Sequence, residues 1–353
     1  MAKSFTPMRI LATSISSLLL AAVVLANGQH ESSDETKDGP SLSGATGWLN
    51  TQPLNLEQLK GKVVLVDFWT YTCINWRRTL PYVNKWASKY KDQGLVVIGI
   101  HTPEFSFEHQ QDNIKQAIKE MNILYPVAVD SDYRIWQSFQ NNYWPALYLI
   151  DANGKLGYQK FGEGDYLESE LMIQKLLKER LPGSVPIQTV TIEPTGYEEA
   201  ADWQNLQSPE NYLGHGNTQG FASPGGIKTD KQVRYVVPEE LQLNQWALSG
   251  EWTVATEKVI LNTKPGKIVY RFHARDVNLV MGSGIKGPIS YRVLIDGKAP
   301  AEAHGLDLDE NGNGKVNEPR MYQLIRQKGA VTDREFQIEF LDPKVEVYDF
   351  TFG

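Results

Sequence analysis

The pattern of apolar and polar positions divides the chain into segments with different predicted secondary structure. Residues 62–69 form a nearly uninterrupted apolar run rich in β-branched side chains, which is typical of a strand buried on both faces. Residues 77–90 carry apolar side chains at helical spacing. The pattern then predicts strands at 95–100, 145–150 and 156–161, a turn at 151–154, and helices at 113–121 and 168–180. This succession indicates a layered α/β domain over residues 45–183.

A different pattern begins after a linker at residues 184–194, which follows Pro182 and Gly183. Short strand candidates separated by Gly, Pro, Asn and Asp occur at 233–237, 259–261, 268–273, 277–281, 291–295, 321–326, 336–341 and 345–350. No helix-length periodic segment lies between them. Residues 195–353 are therefore predicted to form an all-β sandwich of the jelly-roll type.

The N-terminal segment has the pattern of a secretory signal peptide. Lys3 and Arg9 are followed by an apolar run that ends in small residues at Ala26. We expect cleavage after residue 26 and a periplasmic or otherwise extracytoplasmic protein. The alternative is an uncleaved membrane anchor, because the run approaches the roughly 17 residues that span a bilayer. Residues 27–44 are polar and predict a disordered tether.

The composition excludes some classes of function. Of the 353 residues, 41% are hydrophobic and 22% are charged, as in globular proteins, and the net charge of −7 argues against a nucleic-acid partner. The chain has one cysteine, Cys73. Any disulfide must therefore join Cys73 to another molecule.

The segment around Cys73 resembles the active site of thioredoxins, in which a buried strand ends in Asp-Phe-Trp and leads into Cys-x-x-Cys at a helix start. Here Asp67 and Trp69 end the strand, Thr70 follows, and Trp76 stands where the second cysteine would be. The resemblance implies a thioredoxin fold for residues 45–183.

A wider resemblance joins the chain to the TlpA/DipZ-type thioredoxin-like family. The matching stretches are 68–75, 99–105, 143–151 and 161–166 in the first domain and 276–281, 321–326 and 350–353 in the second. They are similar to the extracytoplasmic part of DipZ proteins, whose β module resembles carbohydrate-binding modules. The membrane-spanning part of that family has no counterpart here.

The resemblance implies roles for several residues. Cys73 would be the nucleophile at a helix N-terminus, where first-turn amides stabilise the thiolate and lower its pKa. Arg77 and Arg78 would add to the positive field if their side chains reach back. Pro145 would be the cis proline beside the cysteine that docks an extended substrate. Asp67 would be the buried carboxylate that assists the second cysteine, and its task here is left open.

The absence of a second sulfur leaves three hypotheses. Cys73 acts as a monothiol and an outside thiol from glutathione or a protein resolves it. Alternatively it reduces peroxide, since Thr70 mimics a peroxidase motif, although Val66 replaces the motif's proline. In the third hypothesis the fold is redox-inactive and binds partners. Trp76 would lie one helical turn after Cys73 and cover its sulfur.

The second domain contains a candidate calcium loop at residues 307–318. Its spacing offers five oxygen ligands, which are Asp307, Asp309, Asn311, Asn313 and Glu318. The alternative is a Gly/Asn-rich turn, and no other cofactor is predicted. Six aromatic residues are candidates either for the core or for a glycan-binding surface: Trp203, Tyr212, Tyr235, Trp246, Trp252 and Tyr270.

Overall fold

The computed structural model describes residues 40–183 and 185–353. The predicted signal peptide and residues 27–39 of the predicted tether lie outside the described residues, so export and cleavage stay predictions. No helix in the described part is long and apolar enough to cross a membrane.

The first module is a six-stranded mixed sheet flanked by helices. Its elements are β1 (Gly47–Leu49), β2 (Val63–Trp69), α1 (Ile74–Lys89), β3 (Leu95–His101), α2 (Gln111–Glu120), β4 (Val127–Val129), α3 (Arg134–Ser138), β5 (Ala146–Ile150), β6 (Leu156–Phe161) and α4 (Tyr166–Arg180). The strand order is β1-β4-β3-β2-β5-β6, in which β2, β3 and β4 are parallel and the others antiparallel. The predicted thioredoxin fold is confirmed.

Strand β2 lies at the centre of this sheet, and all seven of its residues are buried. Alternate side chains enter two apolar clusters, one shared with α1 and α4 and the other shared with α3. This two-sided burial explains why the strand reads as a continuous apolar run. The elements that the sequence did not predict, β1, β4 and α3, have only three to five residues and therefore show no period.

The second module is an all-β domain, as predicted. Its strands are β7 (Asn211–Tyr212), β8 (Gln232–Tyr235), β9 (Trp246–Val254), β10 (Val259–Phe272), β11 (Asp276–Ser283), β12 (Ile289–Ile295), β13 (Asn313–Val316), β14 (Arg320–Arg326), β15 (Arg334–Phe340) and β16 (Val345–Phe352). They form one antiparallel sheet that curls around an apolar core. Long strand β10 closes the curl, because it pairs with β9, β15 and β16.

Strand β9 was absent from the sequence prediction because Ser249, Gly250 and Glu251 interrupt its pattern. Gly250 has a positive φ of 102°, and a Cβ there would lie 2.8 Å from the carbonyl oxygen of Pro265. The chain therefore needs glycine at this irregularity of the strand.

Most of the candidate glycan-binding rings are core residues. Trp246, Trp252, Tyr270 and Tyr235 are buried. Trp203 is 59% exposed and is the one ring of the six that lies open to solvent. An aromatic platform built from several of these rings is therefore not formed.

The two modules share an apolar cluster. Tyr348 of β16 packs against Phe105 and Phe107 of the first module, with ring centroids 5.2 and 4.9 Å apart. Val280 and Met321 belong to the same cluster as the core of α1 and α4. The predicted module boundaries stay predictions, but these contacts join the modules along one face.

The linker between the modules is held by Glu170 of α4. Both carboxylate oxygens of Glu170 accept from the backbone N–H of Val190, at 2.9 and 3.0 Å. The same carboxylate accepts from the Tyr90 hydroxyl at 2.5 Å and pairs with Lys89 at 3.0 Å. One buried side chain therefore fixes the path of the linker.

We expect Glu170→Gln to loosen the linker, because an amide cannot accept these three donors with both of its ends. The free energy of unfolding should fall by about 1–3 kcal/mol. Limited proteolysis should show faster cleavage within residues 185–194. Glu168→Gln, an exposed change on the same helix, is the control. Equal cleavage rates in the two variants would contradict this role.

Candidate active site

Cys73 lies where the chain turns from β2 into α1. It is the N-terminal capping residue of α1, and its carbonyl accepts from the Arg77 N–H at 3.0 Å. Its side chain is half-buried. The sulfur lies 3.9 Å from the carbonyl oxygen of Trp144, and the Trp144–Pro145 peptide is cis. The structure thus brings Cys73 beside the cis proline that the sequence resemblance implied.

The surroundings of Cys73 raise the pKa of its thiol well above the usual range. Burial is the largest cause, followed by the negative charges of Glu104 and Glu210. The backbone N–H groups of Trp76 and Asn75 oppose this increase but do not outweigh it. The prediction that the helix N-terminus lowers the pKa of Cys73 is therefore wrong.

The two arginines after Cys73 do not supply the expected positive field. The Arg77 guanidinium stacks over the ring of Tyr197, 4.9 Å from its centroid, and therefore faces the second module. Arg78 is buried and pairs with Glu163 at 2.8 Å. A Cβ on Gly353 would lie 2.1 Å from Arg78 Nη2, so the end of β16 closes over this pair.

Trp76 occupies the interior of the domain, and its covering of the sulfur stays a prediction. Its ring is fully buried and stacks on Trp69, with centroids 4.4 Å apart and planes at 25°. Its indole N–H donates to Asp67 Oδ2 at 3.0 Å. Gly99 makes room for this pair, because a Cβ there would lie 2.8 Å from the Trp69 indole nitrogen.

Asp67 is a fully buried carboxyl with a strongly perturbed pKa. Burial raises the pKa of Asp67 to about 7, although the Trp76 indole and the Tyr125 hydroxyl lower it in part. Its other oxygen, Oδ1, has no hydrogen-bond partner in the described structure. The role of Asp67 that the sequence left open is therefore structural: it accepts a hydrogen bond from the Trp76 indole, which stands in place of the second thiol.

Two further polar residues of the segment lie in the core. Thr70 is buried beside Glu108, whose pKa its hydroxyl lowers. His101 lies between Trp69 and Tyr71, with ring centroids at 4.9 and 5.7 Å. Burial lowers the pKa of His101 to about 3, so its ring is neutral and cannot compensate a negative charge.

Four carboxyl groups near Cys73 were not singled out as site residues from the sequence. They are Glu104, Glu108, Glu210 and Asp349, and we call them the acidic cluster. Glu104 lies in a stretch that carries the family resemblance, which was the one available signal. Glu210 and Asp349 belong to the second module, and nothing in the sequence predicts that they approach Glu104.

Three of the predicted ligands in the candidate calcium loop make other contacts in the structure, and calcium binding there stays a prediction. Asp307 pairs with Arg320 at 2.7 Å, and Asp309 accepts the backbone N–H groups of Asn311 and Asn313. Glu318 pairs with Arg320 at 3.4 Å. Among the residues that the structure describes, no group of three or more His, Cys, Asp or Glu could hold a metal.

The raised pKa of Asp67 predicts a specific dependence of stability on pH. The unfolded carboxyl titrates near pH 4 and the folded one at about pH 7, so the folded state holds an extra proton between these values. This group should lower the free energy of unfolding by about 1.4 kcal/mol per pH unit as the pH rises through that window. Asp67→Asn keeps an oxygen for the Trp76 indole and should lose this part of the slope.

Urea unfolding between about pH 4.5 and about pH 8 measures this slope. The pH range covers most of the window between the two pKa values of Asp67. Asp132→Asn, an exposed change, is the control and should keep the wild-type slope. Parallel curves for wild type and Asp67→Asn would show that Asp67 is ionised throughout.

Comparisons with known proteins identify families and structures to which the chain is similar. Residues 39–159 match the AhpC/TSA family, and residues 208–353 match the family described as thioredoxin like C-terminal domain. A solved thioredoxin-like protein in the oxidised form has 34% identity, covers 40% of this chain and 94% of its own, and gives a TM-score of 0.37.

Two relatives show to which family the chain belongs. Protein DipZ of Mycobacterium tuberculosis is 40% identical over 263 residues, which are 73% of this chain and 36% of DipZ. The chain thus spans about a third of the length of this relative. Thiol-disulfide oxidoreductase YkuV of Bacillus subtilis is 34% identical over 141 residues, which are 40% of this chain and 94% of YkuV. With nearly all of YkuV matched, this chain belongs to the thioredoxin-like family of thiol-disulfide oxidoreductases.

Proposed function

We propose that this protein performs thiol–disulfide exchange outside the cytoplasm with Cys73 as its single nucleophile. The observation that carries the proposal is that Trp76 stands where a second thiol would be, while the rest of the site is kept. Cys73 keeps the helix start and the cis Pro145, while the buried Trp76 indole fills the place of a second thiol. The N-terminal sequence pattern supports export.

The reaction proceeds in two exchange steps. The Cys73 thiolate attacks one sulfur of a substrate disulfide, a new S–S bond forms, and the other substrate sulfur leaves and takes up the proton. An outside thiol then attacks the mixed disulfide and releases Cys73. The outside thiol is oxidised in this step, because it forms a disulfide with the substrate sulfur that Cys73 had held. No electron source within the chain is therefore needed.

The proposed partners are proteins that carry a thiol or a disulfide. The carbonyl of Trp144 lies beside the sulfur and is followed by the cis bond to Pro145, so the backbone at this bond is the proposed contact for an extended polypeptide. Glutathione as the resolving thiol and a glycan at the second module are weaker proposals. They rest on the reaction class and on the resemblance of the β module.

One observation favours the second candidate function, a binding protein without redox activity. The raised pKa of Cys73 leaves the thiol protonated near neutral pH, and a protonated thiol is a poor nucleophile. A peroxidase receives less support. Its motif residue Thr70 is buried beside Glu108.

The pH dependence of alkylation separates the two candidates. With a raised pKa, the rate of Cys73 alkylation by iodoacetamide should increase about tenfold per pH unit past pH 9. The unfolded protein is the control, and its rate should level off near the ordinary thiol pKa of about 8.5. A plateau below neutral pH would contradict the raised pKa. No reaction until the protein unfolds would favour the binding protein.

Replacing Trp76 tests the single-nucleophile proposal. Trp76→Cys should form an intramolecular disulfide with Cys73 and gain reduction of insulin in the presence of dithiothreitol. Wild type should instead accumulate mixed disulfides, because no internal thiol releases them. Loss of the stacked indole should lower the free energy of unfolding by about 3–5 kcal/mol.

Trp76→Ser is the matched control, since it opens the same cavity without adding a sulfur. It should be destabilised like Trp76→Cys and gain no activity. If wild type reduces insulin as fast as Trp76→Cys, Cys73 does not act alone. If the two thiols of Trp76→Cys never pair, the geometry of the motif no longer suits redox chemistry.

A further inference from the structure

A cavity of about 310 Å³ lies between the two modules, beside the first turn of α1. Tyr71 and Arg77 line it from the first module, Tyr197 from the chain that joins the modules, and Arg320 and Met321 from β14. Its volume is at the lower end of the range for small-molecule sites, which is roughly 300–1,000 Å³. The cavity is therefore large enough for a small organic ligand.

Arg77 brings a positive charge to this cavity that no described residue pairs with. Its side chain forms no ion pair and no hydrogen bond, and its Nε is buried without a partner in the described structure. The guanidinium lies over the Tyr197 ring, 4.9 Å from the centroid. All other described arginines that are not exposed have a polar partner: Arg78, Arg180, Arg271, Arg275, Arg320, Arg326 and Arg334.

The acids around Arg77 do not supply the missing partner. Glu318 pairs with Arg320 at 3.4 Å. Burial lowers the pKa of Arg77, and the charges of Glu198 and Glu120 oppose this decrease from beyond ion-pair distance without cancelling it. A partly buried guanidinium whose donors lack acceptors is costly, so an acceptor from outside the chain would stabilise it.

Tyr71 adds a second donor to the same cavity. Its side chain is only 4% exposed, and its hydroxyl has no acceptor in the described structure. The Asn113 amide donates to the Phe107 carbonyl at 3.0 Å. Asn113 faces the Tyr71 oxygen as a donor as well, because it lowers the pKa of that hydroxyl against the larger effect of burial. The hydrogen of the Tyr71 hydroxyl is therefore left without an acceptor.

Apolar side chains line another part of the cavity. They are Ala117, Met121, Pro319 and Met321. Ala117 and Met321 are buried, and Met121 packs against the same apolar cluster. A ligand that suits this cavity combines a hydrogen-bond acceptor with a small apolar body. Among anionic acceptors, a carboxylate matches the planar fork of an arginine.

We infer that the cavity binds a small monocarboxylate, which accepts hydrogen bonds from Arg77 and Tyr71 and packs its apolar body against Met121 and Met321. Three observations carry this inference: the unpaired guanidinium, the buried hydroxyl without an acceptor, and the apolar wall. The bound carboxylate contacts both modules, because both line the cavity. The inference is independent of the thiol chemistry proposed for Cys73.

Benzoate and benzamide test the inference, because they have nearly the same shape and differ in charge. Isothermal titration calorimetry of the full chain at constant ionic strength gives the two dissociation constants. Benzoate should bind at least tenfold more tightly than benzamide, since only the carboxylate forms charge-assisted bonds to Arg77. It should also raise the melting temperature, as a ligand of the native state does. Equal affinities, or no binding of benzoate and of hexanoate as a second probe, would overturn the inference.

Variants of the two donors locate the site. Arg77→Gln should weaken benzoate binding about tenfold or more. Tyr71→Phe should weaken it about threefold to tenfold, which is the effect of one hydrogen bond, and decides the matter if Arg77→Gln misfolds. Lys85→Gln, an exposed change on the same helix, is the control and should bind benzoate like wild type. Affinity that is unchanged in both donor variants, or equally reduced in the control, would contradict the site.

Discussion

The hydrogen bond from the Trp76 indole to Asp67 determines the chemistry that remains at Cys73. In a dithiol site, a second sulfur stands one turn into the helix and the buried carboxylate serves it. Here the indole fills that volume, stacks on Trp69 and donates to Asp67. Because a ring of this size is fully buried, it cannot be removed without a large cavity. Cys73 therefore has no partner within its own fold.

The second constraint is electrostatic, and it involves Glu104 of the first module and Glu210 of the second. A helix N-terminus stabilises an anion by about 0.3–1 kcal/mol, and by up to about 2 kcal/mol in buried geometries. Burial of the thiol acts in the opposite direction, and the charges of Glu104 and Glu210 add to its effect on the pKa of Cys73. The outcome is a raised thiol pKa. The active site is thus a property of both modules together, although each has its own sheet.

Much of the fold was predictable from the sequence, because central strands such as β2 and helices such as α1 show strong periodic patterns. The position of Pro145 beside Cys73 was also predictable, since the surrounding motif specifies it. Short elements such as β4 carry no period and were missed. The Trp69 ring on which Trp76 stacks lies in the space left by the missing side chain of Gly99, which is a tertiary feature. The convergence of Glu104 with Asp349 depends on how the modules pack and leaves no local signal in either segment.

Proton binding links the acidic cluster to Cys73. Burial raises the pKa of the four carboxyl groups, and burial is also the largest cause of the raised pKa of Cys73, to which the charges of Glu104 and Glu210 add. Any ligand that binds the ionised cluster more tightly than the protonated one must release protons when it binds, by an amount set by the shifts it reverses. The same ligand increases the thiolate fraction of Cys73. A neutral thiol compound produces neither effect. The pKa of Cys73 therefore depends on the charge state of Glu104 and Glu210.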